Sequence, residues 1–442
     1  MTLSTANASA NSLYFGGIVA NLEYHNVEDC FNEGNLELTS LAANATIAMG
    51  GIVGRGNCAN TNENLYVTNC VNTGDIFMGN AAVGKGWLGG VIGCMHAPCF
   101  VEDCKNFGNV TMDTEYTSPA KAQAYIGGIA GICGLTNNTI SDACGILYSD
   151  NYGVVKVAGG VVTGGWRFTG GIAGIMYGGE TMTDASGAFV EACNNYGTVR
   201  TTDGGANIIG GITGAIYYNA GIYDCSNSGN VVSERAIDVA TVGSIWEGHG
   251  GIIGYISTGE TQTLIDTCTN TGLVGCRKQT ASDLGLTDKN FHVVIGGIQG
   301  SHGCANVTVV DCVSTGKILG PSDDLHTWNA STEVWDVSGN ANYVYRGALV
   351  AHPNKNLVCN NNEIGGYIGT IADQDPTSAE TEVTIGKGED AVTYTYDKLT
   401  YTDGTLHALV SDSSSNWYWK KWRHGYTATP ATSKSTTTFV EL

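Results

Sequence analysis

The chain has 442 residues, with 63 Gly, 6 Pro, 14% charged residues and a formal net charge of −21. That length holds two or three ordinary domains or one long repeat array, and glycine at about twice ordinary usage without a three-residue period excludes collagen. No basic stripe offers a footprint for nucleic acid or an anionic membrane, and no apolar run is long enough for a membrane span.

The N-terminal stretch MTLSTANASANSLYFGG has no basic region followed by an apolar one, so no signal peptide is expected within it. A repeat begins by residue 16, which suggests a piece of something longer. Two submotifs then alternate. The first is Gly-Gly-Ile-x-Gly, with pairs starting at Gly16, Gly50, Gly89, Gly127, Gly170, Gly210, Gly250 and Gly296. The second is β-branched-x-x-Cys-x-Asn-x-Gly-x-aliphatic. Its cysteines are Cys30, Cys70, Cys104, Cys193, Cys225, Cys268, Cys312 and Cys359, and Ser149 fills the slot in one further copy. Its asparagines are Asn32, Asn72, Asn106, Asn151, Asn195, Asn227, Asn270 and Asn361, with Ser314 in one copy. Its glycines run from Gly34 to Gly316 at intervals between 32 (197 to 229) and 45 (108 to 153).

Each submotif is short, β-branched and alternating, which is the pattern of strands, and nothing sustains a helical period. Short strands between glycine corners at this period describe a β-solenoid. The expected fold is all-β: a parallel β-helix of about eight to nine three-strand coils over residues 1–372, then a small antiparallel β unit. Coils stacked at ~4.8 Å give a prism roughly 40 Å long.

The fixed residues have structural readings. Stacked asparagines at an inward corner form a hydrogen-bonded ladder. The glycine two residues later is expected to supply a positive φ. The cysteine, on the same face as the asparagine, suits a narrow interior, and Ser149 in that slot argues for size over redox chemistry. The paired glycines allow a tight turn or a close approach. The expected ladder is Cys30, Cys70, Cys104, Cys193, Cys225, Cys268 and Cys312 with Asn32, Asn72, Asn106, Asn151, Asn195, Asn227 and Asn270.

The longest loops lie at 231–249, 275–295 and 317–346. IGGYIG at 364–369 reads as the last strand of the stack. From 373 to 442 the composition shifts to Thr, Tyr, Ser and Lys, and the alternation in AVTYTYDKLTYTDGTLHALV marks a separate small β-rich tail.

The two submotifs together resemble the GLUG-motif repeats of large bacterial cell-surface proteins over residues 16–320, with echoes to 369. Ile or Val stands here where the family name implies Leu. The tail KLTYTDGTLHALV looks like part of a bacterial immunoglobulin-like module. The resemblance implies a secreted, wall-attached or outer-surface stalk or adhesin, and it implies no catalytic site.

For chemistry, His-Glu-x-x-His is absent. Cys94, His96 and Cys99, with Cys104 nearby, lack the second ligand pair of a zinc site. A local Cys94–Cys99 disulfide and unpaired thiols stay open as alternatives, and fifteen cysteines leave at least one unpaired within the chain. No metal or cofactor is expected. Asp29, Asp103, Asp224 and Asp311 precede the motif cysteine and point outward, as a solvated acidic edge. Trp87, Trp166 and Trp246, with Tyr14 and Tyr125, stand just before glycine pairs. They are candidate glycan platforms, weighed against a packing role. Trp328 and Trp335 in the longest loop are candidate contacts.

The reading is a non-enzymatic extracellular stalk or adhesin, with glycan or host surface protein as partner. One alternative is a carbohydrate-active β-helix enzyme, a polysaccharide lyase or glycosidase. Another is a self-assembling fibre joined through uncapped solenoid ends.

Overall fold

The computed structural model describes residues 2–4, 12–40, 45–58, 63–79, 83–96, 98–113, 123–135, 143–158, 166–178, 187–202, 207–234, 247–257, 262–277, 292–302, 306–320, 327–329, 334–336, 343–352, 357–372, 374–388 and 391–408. Their backbone winds into a parallel β-helix. The first full coil contributes Ser12–Gly16, Val19–Leu22, Val27–Glu28, Phe31–Asn32 and Leu36–Ser40. These segments seed five sheets, here numbered 1 to 5 along the coil. Sheets 1 to 4 each have nine strands, one per coil, in parallel register. Sheet 5 has eleven, because Thr2–Ser4 pairs before the first coil and Asp403–Ala408 after the last.

Each coil thus has five strand segments where three were expected. The Gly-Gly-Ile-x-Gly stretch is two strands: sheet 1 ends on the first glycine and sheet 2 starts two residues after the second. The Cys-x-Asn stretch forms the two-residue strands of sheet 4.

The corner between sheets 3 and 4 turns on the residue before the motif cysteine. Asp29, Asn69, Asp103, Tyr148, Ala192, Asp224, Thr267, Asp311 and Asn361 all have φ between 49° and 54°. Asp and Asn tolerate this left-handed conformation best, which explains the recurrent acid. The four aspartates are exposed, as expected of an outer edge. Ala192→Gly should therefore be neutral or stabilising, by up to ~1 kcal/mol in a urea melt, because the strained alanine is relieved.

The expectation that the motif glycine supplies the positive φ is overturned. Gly34 to Gly316 are not among the positive-φ residues. They are needed for proximity: a methyl on Gly74, Gly108, Gly153, Gly197, Gly229, Gly272 or Gly316 would overlap the carbonyl oxygen of the equivalent glycine one coil earlier. The glycine pairs serve the same end. A methyl on Gly51, Gly90, Gly128 or Gly171 would overlap the next coil's carbonyl and the amide of Asn72, Asn106, Asn151 or Asn195. The two submotifs therefore face each other across a very thin interior.

That interior is one apolar column system, including Ile52, Val67, Ile76, Leu88, Val101, Ile126, Ile146, Ile172, Val190, Ile222 and Ile265. The asparagine ladder runs through it. Asn32 Nδ2 donates to Asn72 Oδ1 at 2.7 Å. The bonds from Asn72 to Asn106, Asn106 to Asn151, Asn151 to Asn195, Asn195 to Asn227 and Asn227 to Asn270 are all 2.8 Å. The same nitrogen also donates to the carbonyl of its own motif glycine, as in Asn106 to Gly108 at 2.8 Å. Buried amides thus spend both donors.

The cysteine slot has a bonding role as well as a size limit. Cys70 and Cys104 Sγ each donate to a carbonyl two residues back, at 3.2 Å. Each slot accepts from the backbone N–H of the previous coil's slot: Cys70 N to Cys104 Sγ is 3.4 Å, and Cys104 N to Ser149 Oγ is 3.1 Å. Serine fits because it does the same bonding. Cys193, Cys225, Cys268 and Cys312 lie in the same buried column, and Cys30 is its half-buried first member. In the last coil the register corrects the sequence assignment. Cys359 pairs with Val309, and Asn362 takes the cysteine slot, accepting from Cys312 N at 2.9 Å. Ile364, not Asn361, follows Ser314 in the asparagine column.

The tail, read as a separate unit, is joined to the solenoid over its described part. Thr377–Ile385 and Val392–Thr400 form an antiparallel hairpin. It runs back along the outside of the stack. Tyr394 stacks on Phe107 at 4.3 Å, Tyr396 tilts onto Tyr152 at 5.4 Å, and Asn230 Nδ2 donates to the Leu399 carbonyl at 2.7 Å. A buried cluster pins the strap. The Glu234 carboxylate meets Arg200 and Arg277, each at 3.0 Å, and accepts the Tyr401 hydroxyl at 3.0 Å. Glu234→Ala would remove the carboxylate, itself 5% exposed, that both guanidiniums share, leaving Arg200 without it and Arg277 with the exposed Asp375 carboxylate at 2.8 Å. A loss of about 3–5 kcal/mol is expected in denaturant unfolding. The remaining residues, 409–442, lie outside the described part.

Candidate functional site

The strongest concentration of outward chemistry is the re-entrant corner between sheets 1 and 2. The residue two before each glycine pair points away from the core. Register aligns Tyr14, Ala48, Trp87, Tyr125, Phe168 and Ile208 in one column. Because the corner is concave, the column meets outward residues of sheet 2: Cys94, Ile132, Ile175 and Ala215, with Tyr177, Tyr217 and Tyr255 at the rim. Glycines such as Gly93, Gly131 and Gly174 let the two sheets close this angle, since a methyl on any of them would strike the backbone of sheet 1 in the preceding coil.

The result is a second apolar core on the outside of the prism. Tyr125 and Phe168 stack at 5.4 Å, Phe168 tilts onto Tyr217 at 5.8 Å, and Tyr177 reaches Tyr217 at 5.5 Å. The hydroxyls of Tyr177 and Tyr125 lie 3.5 Å apart. Burial pushes the phenols of Tyr125, Tyr177 and Tyr217 upward, so the rim offers neutral hydroxyls.

Trp87 is therefore no open platform. It is 8% exposed and packed among neighbours from both sheets. Alternation along a strand separates inside from outside, and here the outside is a filled concave corner. Trp166 lies on the sheet 1 strand Trp166–Gly170; its side chain, like those of Trp328 and Trp335, lies outside the described part. Trp246 lies outside it altogether. Trp328 and Trp335 stand directly opposite each other in the backbone register of a small antiparallel hairpin, Thr327–Asn329 with Val334–Asp336, inserted between the eighth and ninth coils.

Small Ala48 interrupts the aromatic column, and Arg55 stands beside the gap. Its Nη1 donates to the Tyr14 hydroxyl at 3.2 Å, and its guanidinium lies 5.0 Å above the Tyr14 ring. His96 belongs to the same rim. Burial, helped by Arg55, lowers its pKa from 6.5 to about 4. The folded state thus holds His96 neutral while the unfolded chain binds a proton below 6.5. That stability is present above pH 6.5 and is lost as pH falls towards 4. Asp150 and Glu102, raised by burial, slope the other way. The pH-dependence of unfolding in His96→Asn minus that of the parent should isolate the histidine part.

Cys94 lies in this outer cluster and Cys99 in the inner core, so a backbone sheet separates the two thiols. The local disulfide is not formed, and both are free. No group of three or more His, Cys, Asp or Glu among the described residues is arranged to hold a metal ion.

Sequence reading missed the sheet 2 half of this corner: Arg55, Tyr177, Tyr217 and Tyr255. It also missed the ladder that docks the tail. Phe107, Tyr152 and Tyr196 fill the variable position between asparagine and glycine in three successive copies, and their rings stack at 4.7 and 4.6 Å. Three aromatics in a row at one motif position was the available signal.

Fold and site together define a nine-coil parallel β-helix with a lateral strap. No family model, curated protein or solved structure matches the chain.

Proposed function

We propose that this chain is a non-catalytic, extracellular structural segment of a bacterial surface protein, a stiff stalk that carries contact loops on its corners. The observation that carries the reading is the commitment of the recurring polar side chains. From Asn32 to Asn227 each motif asparagine donates to the asparagine of the next coil and to its own corner, Asn270 closes the ladder by accepting from Asn227 and bonding its own corner, and the cysteine slot bonds the neighbouring backbone. A side chain held in this way is not available to a substrate. The likeness to GLUG-type repeats supports the surface location.

A second reading, adhesion to a glycan or host protein, is favoured by the inserted hairpin that sets Trp328 opposite Trp335. The fibre reading has weaker support. The N-terminal end does expose Ile18 (46%) and Phe31 (47%). At the other end Leu349, the counterpart of Ile18, is 1% exposed, and Asp403–Ala408 covers the edge of sheet 5.

A glycan array combined with a polysaccharide-degradation screen tests the proposal. No release of unsaturated or reducing ends is expected. Binding, if found, should fall at least tenfold in a Trp328→Ala/Trp335→Ala variant. Catalytic release of sugar ends contradicts the stalk.

A further inference from the structure

One thiol pair lies outside the cysteine ladder. Cys133 is on the sheet 2 strand Ala130–Leu135, and Cys144 is on the sheet 3 strand Ala143–Leu147 of the same coil. Their sulfurs are 3.8 Å apart, and both residues are fully buried in the main core. The strands converge at a corner, so the two side chains point at each other across it. Ladder cysteines instead run parallel from coil to coil and bond backbone groups. Cys99 is the competing neighbour. It sits one residue before the Phe100–Gly145 pair, the position that stacks on Cys144.

We propose that Cys133 and Cys144 are an oxidation site, forming an intramolecular disulfide that staples sheet 2 to sheet 3 and closes the intervening 134–143 segment into a covalent loop. The oxidant is a small disulfide such as oxidised glutathione. One thiolate attacks it, forming a mixed disulfide and releasing one reduced glutathione. The second thiolate attacks the protein sulfur of that mixed disulfide and releases the other. Two thiols lose two protons and two electrons, and one oxidised glutathione becomes two reduced ones. In the folded state the hydrogen bond to Cys144 and burial hold the Cys133 thiol protonated. The bridge should therefore form as the coil closes during folding, and only slowly once it has closed. This inference rests on the geometry of the pair, and its test in a redox buffer of set composition is independent of the stalk proposal.

The experiment is refolding of the full chain in a glutathione redox buffer, followed by alkylation under denaturing conditions and non-reducing peptide mapping. The expected result is a cross-linked 133–144 species about 2 Da lighter than the dithiol. It should be present in most molecules, with Cys70, Cys104, Cys193, Cys225, Cys268 and Cys312 alkylated. Cys99→Ala should retain the bridge, and the parent refolded with reductant should melt lower than the bridged form. The proposal is overturned if both cysteines are alkylated in the oxidised sample, or if Cys99 is bridged in place of Cys133.

Discussion

Gly108→Ala should destabilise the protein by at least ~4 kcal/mol or prevent folding, while Gly34→Ala, the same substitution at the same motif position, should cost less than ~1 kcal/mol. A methyl on Gly108 would overlap the carbonyl of Gly74 in the coil before it. That contact is backbone against backbone within a continuous stack, so neither side can yield without breaking register in two sheets. Gly34 belongs to the first full coil. A methyl there meets only Asn32 Oδ1, at 3.5 Å, an ordinary contact. Paired urea titrations of the two variants measure the difference. If the glycine served a left-handed turn, the two would lose equal stability.

Asn106→Ala should cost about 3–5 kcal/mol, because it removes a side chain that accepts from Asn72 and donates to Asn151 and Gly108, and leaves buried partners unmet. Its neighbours are fully buried, so water cannot replace what is lost. Asn32→Ala should cost only about 1 kcal/mol. Asn32 is the terminal rung, 8% exposed, and bonds a ladder partner on one side only. Asn106→Asp is expected to be as damaging near pH 7, since a carboxylate cannot donate to Asn151 and would be charged in an apolar interior. Denaturant midpoints across the three variants give the gradient.

The register was open to reading because identical positions stack. Val27, Val67, Val101, Ile146 and Val190 in one column of the interior follow from spacing alone. So does the asparagine ladder, since a buried amide with a self-similar neighbour has one obvious partner. The bends were not readable in the same way. Ile18 and its equivalents look like mid-strand residues, and only the fold shows that the chain turns beside them. The left-handed position was hidden because Tyr148, Ala192 and Thr267 mask the Asp and Asn preference. The largest gap concerns Trp87. Period-two alternation correctly places it outside, but the angle between two sheets is a property of the whole coil, and a re-entrant angle converts outside into buried. Docking of the strap likewise depends on residues some 290 positions apart (Phe107 and Tyr394), which no local pattern connects.

If the recurring motif is a rung and not a site, its asparagine side chains must be shielded from solvent for as long as the stack is intact. Hydrogen exchange of the side-chain amides, followed by NMR on protein with labelled asparagine, tests this most directly. The amide protons of Asn72, Asn106, Asn151, Asn195 and Asn227 should persist far longer than those of exposed Asn21 and Asn26. Asn32 and Asn270, at the ladder's ends, should exchange sooner. Exchange of all of them at the rate of free asparagine would contradict the ladder and return the motif to the list of candidate sites.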